Sequence, residues 1–314
     1  MIVSKVKMVK NWHLSRRKRT LQQRARIVQA IRLFFIDRGF LEVETPHRIP
    51  APAPESHIDA VSSGEWFLHP SPEICMKRLL AAGYGKIFQV ARCWREGERG
   101  SRHVPEFTLL EWYRTNDDYR ALMEDCEMLI PALVSTLGLG HPLTFQNQEI
   151  DLTPPWERIS VRDAFRSYTN LTPEEALERD AFDERMVQDI EPRLGMKKPT
   201  FLCDYPAERC ALAGLRKDDP TVAERFELYI GGLELANGFS ELVDPEEQRK
   251  RFLLEQANRR SLGKPVYPLP EPFLQELEEM PPSAGIALGV DRLVMVLLNA
   301  TTIDDVVAFT PEDL

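Results

Sequence analysis

Apolar residues recur at spacings of three and four from Ser15 to Arg38, where Leu21, Ala25, Val28, Ile31 and Phe35 form one stripe. That period predicts an amphipathic helix, closed by Gly39. Phe40 to Thr45 reads as a short strand stopped by Pro46, and Ile49 to Glu55 as an extended, proline-rich loop. Helical spacing resumes over Glu73–Ala82, with Ser71-Pro72 as N-cap and first-turn proline. Further helices are expected over Asp118–Leu137, Pro245–Ser261 and Asp291–Asn299. Residues 151–200 read as polar and helical, with a capping box at Thr172-Pro173-Glu174-Glu175, and 206–226 as loop. Strand patterns fall in Lys86–Tyr113, Phe226–Leu242 and Gly285–Val290. Strands separated by loops and insertions, without steady βαβ alternation, predict an α+β domain around a central antiparallel sheet flanked by helices.

Two of these strand regions break the rule that a strand's buried face is apolar. KIFQVARCWREGERGSRHVPEFTLLEWY and FELYIGGLELANGFSEL set Arg, Glu, Asn and Tyr inside apolar runs. A buried polar group without a partner costs about 2–7 kcal/mol, so these residues call for a ligand. Alternation puts Phe107, Leu109, Glu111 and Tyr113 on one face, a set suited to an aromatic ring and an ammonium group. Arg95 can grip a phosphate bidentately. The competing reading is a plain hairpin with its aromatics in the core.

Gly231-Gly232 is a two-residue hairpin turn. It pairs Ile230 with Leu233, Tyr229 with Glu234 and Glu227 with Ala236. On that register Glu227 and Glu234 share a face as diagonal neighbours, about 7–8 Å apart, where a magnesium ion would relieve their repulsion. Two exposed glutamates on a wet face are the alternative. In ANGFSEL, Asn237 could bond a carboxylate and Glu241 an amine, and Gly238 suggests a tight path or close ligand approach. GIALGVDR sets small residues before an apolar helix, with Arg292 as a polyphosphate anchor or as half of an Asp291–Arg292 surface pair. Neither G-x-x-x-x-G-K-[ST] nor G-x-G-x-x-G occurs, which disfavours P-loop and Rossmann chemistry.

Composition narrows the setting. The chain has 314 residues, enough for one large or two ordinary domains. No run approaches the length of a membrane span, and the N-terminus lacks a sustained apolar core. Five scattered cysteines without a C-x-x-C pair read as reduced thiols, which points to the cytoplasm. Residues 1–40 hold eleven Lys or Arg and one acid, Asp37, a balance of +10; with −9 overall, 41–314 carry −19. A basic leader over 1–15 and helix on an acidic body suggests an anionic partner, or a solvated helix face.

Together these segments resemble the three motifs of the class II aminoacyl-tRNA synthetases. The helix and strand up to Pro46 resemble motif 1, FQVARCWREGERGSRHVPEFTLLEWY motif 2 and GIALGVDR motif 3. SPEICMKRLL, FELYIGGLELANGFSEL and RHVPEFTLLEWY resemble the lysyl branch, over roughly 16–310. The expected layout is one catalytic domain over 16–314, a helical insertion about 155–200, and no anticodon-binding domain. Within the branch the chain resembles the free-standing lysyl-tRNA synthetase paralogues that modify translation elongation factor P. Length, the tail EWYR and Ala287 in motif 3 carry that resemblance. It implies ATP-dependent adenylation of lysine or (R)-β-lysine and transfer to a lysine of elongation factor P, with tRNA an unlikely acceptor. Motif 1 implies a homodimer.

By the same resemblance, Arg95 holds the α-phosphate and amino-acid carboxylate, His103 and Arg292 the outer phosphates, and Phe107 stacks on adenine. Glu227 and Glu234 bind Mg²⁺. Glu73, Tyr113 and Glu241 bind substrate amines, with Glu111 and Asn237 beside them and Ser71 lining the pocket. Glu96, Gly97, Glu98, Val104, Leu235 and Gly289 complete the ATP site. Motif 2 departs from the pattern: Arg-Asn-Glu is replaced by Arg95-Glu96-Gly97-Glu98, and His-Asn-Pro-Glu by His103-Val104-Pro105-Glu106. The ATP-contacting acid is then Glu98, Glu96 or neither, and an asparagine contact is lost.

Overall fold

The computed structural model describes residues 12–210 and 212–314. Eight strands form the main sheet: β1 (Leu41–Glu42), β2 (Lys86–Trp94), β3 (Glu106–Thr115), β4 (Glu157–Ser160), β5 (Thr200–Pro206), β6 (Val222–Ile230), β7 (Leu233–Ser240) and β8 (Ser283–Gly289). Their order is β1-β2-β3-β8-β7-β6-β5-β4. The central six are antiparallel, as expected; the edge pairs β1–β2 and β4–β5 are parallel, making the sheet mixed.

One face of the sheet is sealed by three helices, α1 (Trp12–Ile36), α2 (Tyr119–Leu137) and α3 (Val290–Leu297). Phe35, Phe88, Leu110, Trp112, Leu129, Leu288 and Val294 interlock in this core. Phe35 stacks on Phe88 with ring centroids 5.0 Å apart. Along β3, Leu110 and Trp112 point into this core, so Phe107, Leu109, Glu111 and Tyr113 face the other way. The site therefore sits on the sheet face away from α1 and α2.

Several sequence expectations shift. The first helix begins by Trp12, within the predicted leader; residues 1–11 lie outside the described residues. Its buried seam is Ile27, Ala30, Ile31, Phe34 and Phe35, while Ala25 is exposed. The predicted stripe shares Ile31 and Phe35 with that seam, and its Leu21 and Val28 are half-buried at the seam's edge. Residues 151–200 are not all helical, since β4 and the start of β5 lie there. Val161–Tyr168 and Pro173–Glu178 are helices, and the Thr172 capping box forms as predicted. The loop expected over 206–226 ends early, because β6 starts at Val222.

The basic helix turns much of its charge inward. Arg32 pairs with Glu42, Arg17 with Asp313, and Arg24 with the buried Asp291 at 2.5 Å. Asp291 therefore does not pair with Arg292. Its Oδ2 accepts from the Thr108 backbone N at 2.7 Å, and Arg24 donates to Thr108 Oγ1 at 3.0 Å. This triad fixes β3 between Phe107 and Leu109 from behind. Removing one partner strands a buried charge, so Arg24→Met should cost about 3–5 kcal/mol. A urea denaturation midpoint would register that loss, and adding Asp291→Asn should recover much of it.

Candidate active site

A cavity of about 310 Å³ opens on the free face of β3, β7 and β8, within the usual range for small-molecule sites. Of the predicted residues, Ser71, Glu73, Arg95, Glu98, His103 and Val104 line it. So do Phe107, Glu111, Tyr113, Glu234, Leu235, Asn237, Gly289 and Arg292. Glu96, Gly97, Glu227 and Glu241 do not.

The acidic end is built on β3 and the helix Glu73–Ala81. Ser71 Oγ accepts from the Glu73 backbone N at 3.0 Å and its hydroxyl donates to Glu111 Oε1 at 2.7 Å, while the N-cap position falls on Pro72, one residue later than expected. Tyr113 Oη donates to Glu111 Oε2 at 2.8 Å. Lys77 lies one turn beyond Glu73, almost fully buried, with Nζ 2.6 Å from Glu73 and 2.5 Å from Glu241. Burial, with Glu73 nearby, pushes the Glu111 carboxyl up to about 7. Burial lifts Glu241 to about 8 despite Lys77. The two carboxylates hold Lys77 firmly charged, above its ordinary range. Glu241 stands under the cavity floor: a Cβ on Gly285 would collide with Glu241 Oε1 and with the Tyr113 ring. Glycine there lets the acid and phenol pack beneath β8.

The basic end is built from the loop between β2 and β3 and the start of α3. Arg292 donates through Nη1 to the Glu234 backbone O at 2.9 Å and to Glu234 Oε2 at 3.1 Å. Its Nη2 meets His103 Nε2 at 2.5 Å. Burial and the Arg292 charge lower the His103 pKa, so this imidazole is neutral and accepts. Arg95 lies over the Phe107 ring at 5.0 Å, and its buried Nε has no hydrogen-bond partner among the described residues. Glu98 Oε1 is 3.7 Å from Arg95, whereas Glu96 and Gly97 are exposed. Of the two motif 2 acids, Glu98 therefore faces the cavity. Val104 is buried against the core as well as lining the cavity.

The hairpin register differs from expectation by one residue. Tyr229 pairs with Glu234, but a bulge between Leu228 and Tyr229 makes Glu227 pair with Asn237 rather than Ala236. Glu227 is buried: Arg225 donates to its Oε1 and Tyr229 Oη to its Oε2, each at 2.6 Å. Burial raises its pKa, Arg225 opposes the rise, and Glu234 adds to it. Only Glu234 of the pair faces the cavity. Asn237 Oδ1 accepts from Arg225 Nε at 3.3 Å. Gly238 packs against the core, since a Cβ there would meet Phe226 at 2.8 Å, so it marks tight packing and not ligand approach.

Sequence reading missed four participants. Lys77 stands beside Arg78 in the otherwise apolar run ICMKRLL, four residues after Glu73, and that spacing was the available signal. Arg225 lies in β6 two residues before Glu227, on the same face of the strand. Arg102 donates to the Gly232 backbone O at 3.3 Å. Glu191 stands near Glu227 and Glu234, and burial with their charges pushes it up to about 7; nothing local marked it.

The family model for class II tRNA synthetases (D, K and N) matches residues 5–313, and the chain belongs to that family, whose members use ATP. Among similar proteins is the elongation factor P–(R)-β-lysine ligase of Proteus mirabilis, 39% identical over 96% of this chain and 98% of the relative. The ligase of the same name from Hamiltonella defensa is 38% identical over 96% and 98%. That of Photorhabdus laumondii is 40% identical over 96% and 97%.

The raised carboxyls predict a pH dependence. A bound ammonium favours the ionised acid, so a ligand carrying one binds more tightly as pH climbs. Folding shows the opposite sign, because the native state holds the Glu111 proton more tightly, and stability is lost between 4.5 and about 7. Calorimetric titration of L-lysine should show affinity rising from about pH 6 to 8, with proton release on binding. Glu111→Gln should flatten the lower part of that rise.

Proposed function

We propose that this chain is an ATP-dependent, AMP-forming ligase that adenylates lysine or (R)-β-lysine and passes it to a lysine side chain of elongation factor P. The observation that carries this reading is the polarity of one cavity: Glu73 and Glu111 with Glu241 beneath at one end, Arg95, Arg292 and His103 at the other. An amino acid with a distal ammonium fits the first end and a nucleoside triphosphate the second.

In the first step a carboxylate oxygen of the amino acid attacks the α-phosphorus of ATP. The acyl–phosphate bond forms, the α–β bond breaks, and pyrophosphate leaves. The step needs alignment and charge neutralisation more than a base. Arg95 bridges the carboxylate and α-phosphate; Arg292 and His103 hold the outer phosphates; Phe107 offers its face to adenine. Glu98 takes the nucleotide contact that Glu96 and Gly97 are too exposed to make, with Val104, Leu235 and Gly289 forming the apolar wall. Glu73, Glu111 and Tyr113 receive the distal ammonium, Ser71 orients Glu111, Asn237 lies near the reacting carboxylate, and Glu241 sets the field from below. In the second step the acceptor amine attacks the carbonyl, an amide forms, AMP leaves with the bonding electrons, and the amine's proton passes to solvent.

Among the described residues no three His, Cys, Asp or Glu side chains form a metal cage. Of the expected pair only Glu234 faces the cavity, which still fits Mg²⁺, since that ion takes one or two carboxylates and completes its shell from phosphates and water. Glu234 would hold it with Glu227 behind. The ion would neutralise phosphate charge. Exposed Leu33, Ile36 and Leu41 on α1 and β1 support a homodimer through that edge. No described helix is long and apolar enough to cross a membrane, and a cytoplasmic site of action fits the free thiols.

Radiolabelled lysine or (R)-β-lysine, offered with ATP, total tRNA and elongation factor P, should label the protein acceptor. Label confined to tRNA would overturn the reading in favour of aminoacylation, and no amino-acid-dependent ATP–pyrophosphate exchange would favour a regulatory paralogue. Arg292→Ala should lower exchange by about 10²–10³-fold.

A further inference from the structure

The loop between β2 and β3 has two sides, and the mechanism above uses only the inner one. Glu98, Arg102 and His103 line the cavity from it. Arg99 does not line the cavity; its guanidinium meets two acids of the C-terminal segment. Nε donates to Glu312 Oε1 at 3.0 Å, and Nη2 donates to Glu312 Oε2 at 3.0 Å and to Asp304 Oδ2 at 2.9 Å. Nη1 donates to the Gly100 backbone O at 3.0 Å. Two residues after Arg99, the Ser101 O accepts from the Ile303 backbone N at 2.8 Å.

The acids that Arg99 meets stand on firm ground. Asp304 and Glu312 lie on two separate single turns, Ile303–Asp305 and Pro311–Asp313. Ile303, Val306 and Val307 are buried in the main core. Asp313 closes a capping box on Thr310 and pairs with Arg17 of α1 at 2.9 Å, and Arg17 also donates to the Ala308 O at 3.1 Å. On the loop side, the Gly100 N donates to the His103 O at 3.0 Å, closing a tight turn that ends at His103. The loop's start is held separately: the Glu96 N donates to the Asp59 O at 2.7 Å. The buried Arg259 grips that neighbouring segment through the Glu55 O, the Ile58 O and Asp59 Oδ1. The middle of the loop belongs to neither strand, and Arg99 is the side chain that ties it to the C-terminal segment through ion pairs. An isolated surface ion pair contributes little, but a bidentate guanidinium–carboxylate pair within a network is the exception.

Resting on the function proposed above, we propose that Arg99 is a positioning residue for ATP: it latches this loop onto Asp304 and Glu312 and so holds His103 and Glu98 where the nucleotide needs them. Arg99 itself touches no substrate. It acts through the closed turn 99–103, so a shift at Arg99 carries to His103 and to the His103–Arg292 contact that receives the outer phosphates. Ile303 joins the same segment to the site directly, since it lines the cavity while its backbone N holds Ser101. The amine end is placed independently, by β3 and the helix Glu73–Ala81, and among the described residues Arg99 bonds to neither. An unlatched loop spends time in arrangements that do not bind, and the apparent affinity for ATP falls by the fraction lost.

The test pairs calorimetric titration of ATP with ATP–pyrophosphate exchange driven by L-lysine or (R)-β-lysine. In Arg99→Met the Kd and KM for ATP should rise about fivefold, while the KM for either amino acid should not move. Arg99→Lys keeps the charge but cannot span both acids, so it should recover part of the loss. Asp304→Asn combined with Glu312→Gln should reproduce the loss, and adding Arg99→Met to that pair should cost nothing more, because all three changes break one tie. An unchanged ATP Kd in Arg99→Met would overturn the proposal, as would an equal rise in the KM values for ATP and amino acid, which marks a general loosening. A wild-type enzyme that binds ATP but shows no exchange would bring down the proposed function alone, and the Kd series would still decide for or against Arg99. A wild type that binds no ATP would end both.

Discussion

Three carboxylates share one lysine. Glu73, Glu111 and Glu241 converge around the cation end of Lys77, and every one of those side chains is buried or nearly so. Lys77 pairs with two of them, and Glu111 is held by hydroxyls from Ser71 and Tyr113. This cluster carries more negative than positive charge, which low-dielectric surroundings penalise heavily. Burial pushes the Glu111 and Glu241 carboxyls upward, which eases the imbalance, and Lys77 opposes that rise. A cationic ligand relieves the same imbalance by a second route. What remains is an incomplete ion-pair network enclosed by the surrounding packing.

That packing explains why β3 is the axis of the molecule. Each side chain on its cavity face is backed by one in the core: Glu111 lies between Leu110 and Trp112, and Phe107 precedes Thr108, which Asp291 and Arg24 pin. Basic residues of the first helix thereby fix the floor of an anion site they never touch. Their charge reads in sequence as an offer to a partner. In the fold, Arg17, Arg24 and Arg32 are neutralised by the chain's own acids.

Alternation along β3 was fully legible, because a strand of ten residues with unbroken polarity has one possible face assignment. The helix Pro245–Ser261 was legible to the residue, with Asp244 capping it through the Glu246 and Glu247 backbone N atoms. What failed had local causes. β4 is four residues long, too short for any period to register. β5 carries a bulge between Cys203 and Tyr205, with Asp204 at φ +59°, so its alternation breaks midway. The bulge beside Tyr229 likewise moved the partner of Glu227 by one residue, a change no side-chain pattern announces. Residues that act through distant elements, such as Arg259 on the Glu55 loop, carry no local signal.

Backbone anchoring also accounts for the altered second motif. Arg95 keeps its place because its backbone N is held by the Pro105 O at 2.9 Å, whichever residues come after it in the loop. The Glu96 backbone N is held by the Asp59 O at 2.7 Å, which ties this strand end to the loop that Arg259 anchors. Gly97, at φ +77°, then turns the chain so that Glu98 swings back toward Arg95. A glycine at that position makes a left-handed residue inexpensive. The acid has moved one place along the chain, and the turn returns it to the same cavity. What sequence alone presents as a missing acid is, in three dimensions, a displaced one that lines the same cavity. The Asp59–Glu96 hydrogen bond joins this turn to the loop over 55–59, so the two share the Arg259 anchor.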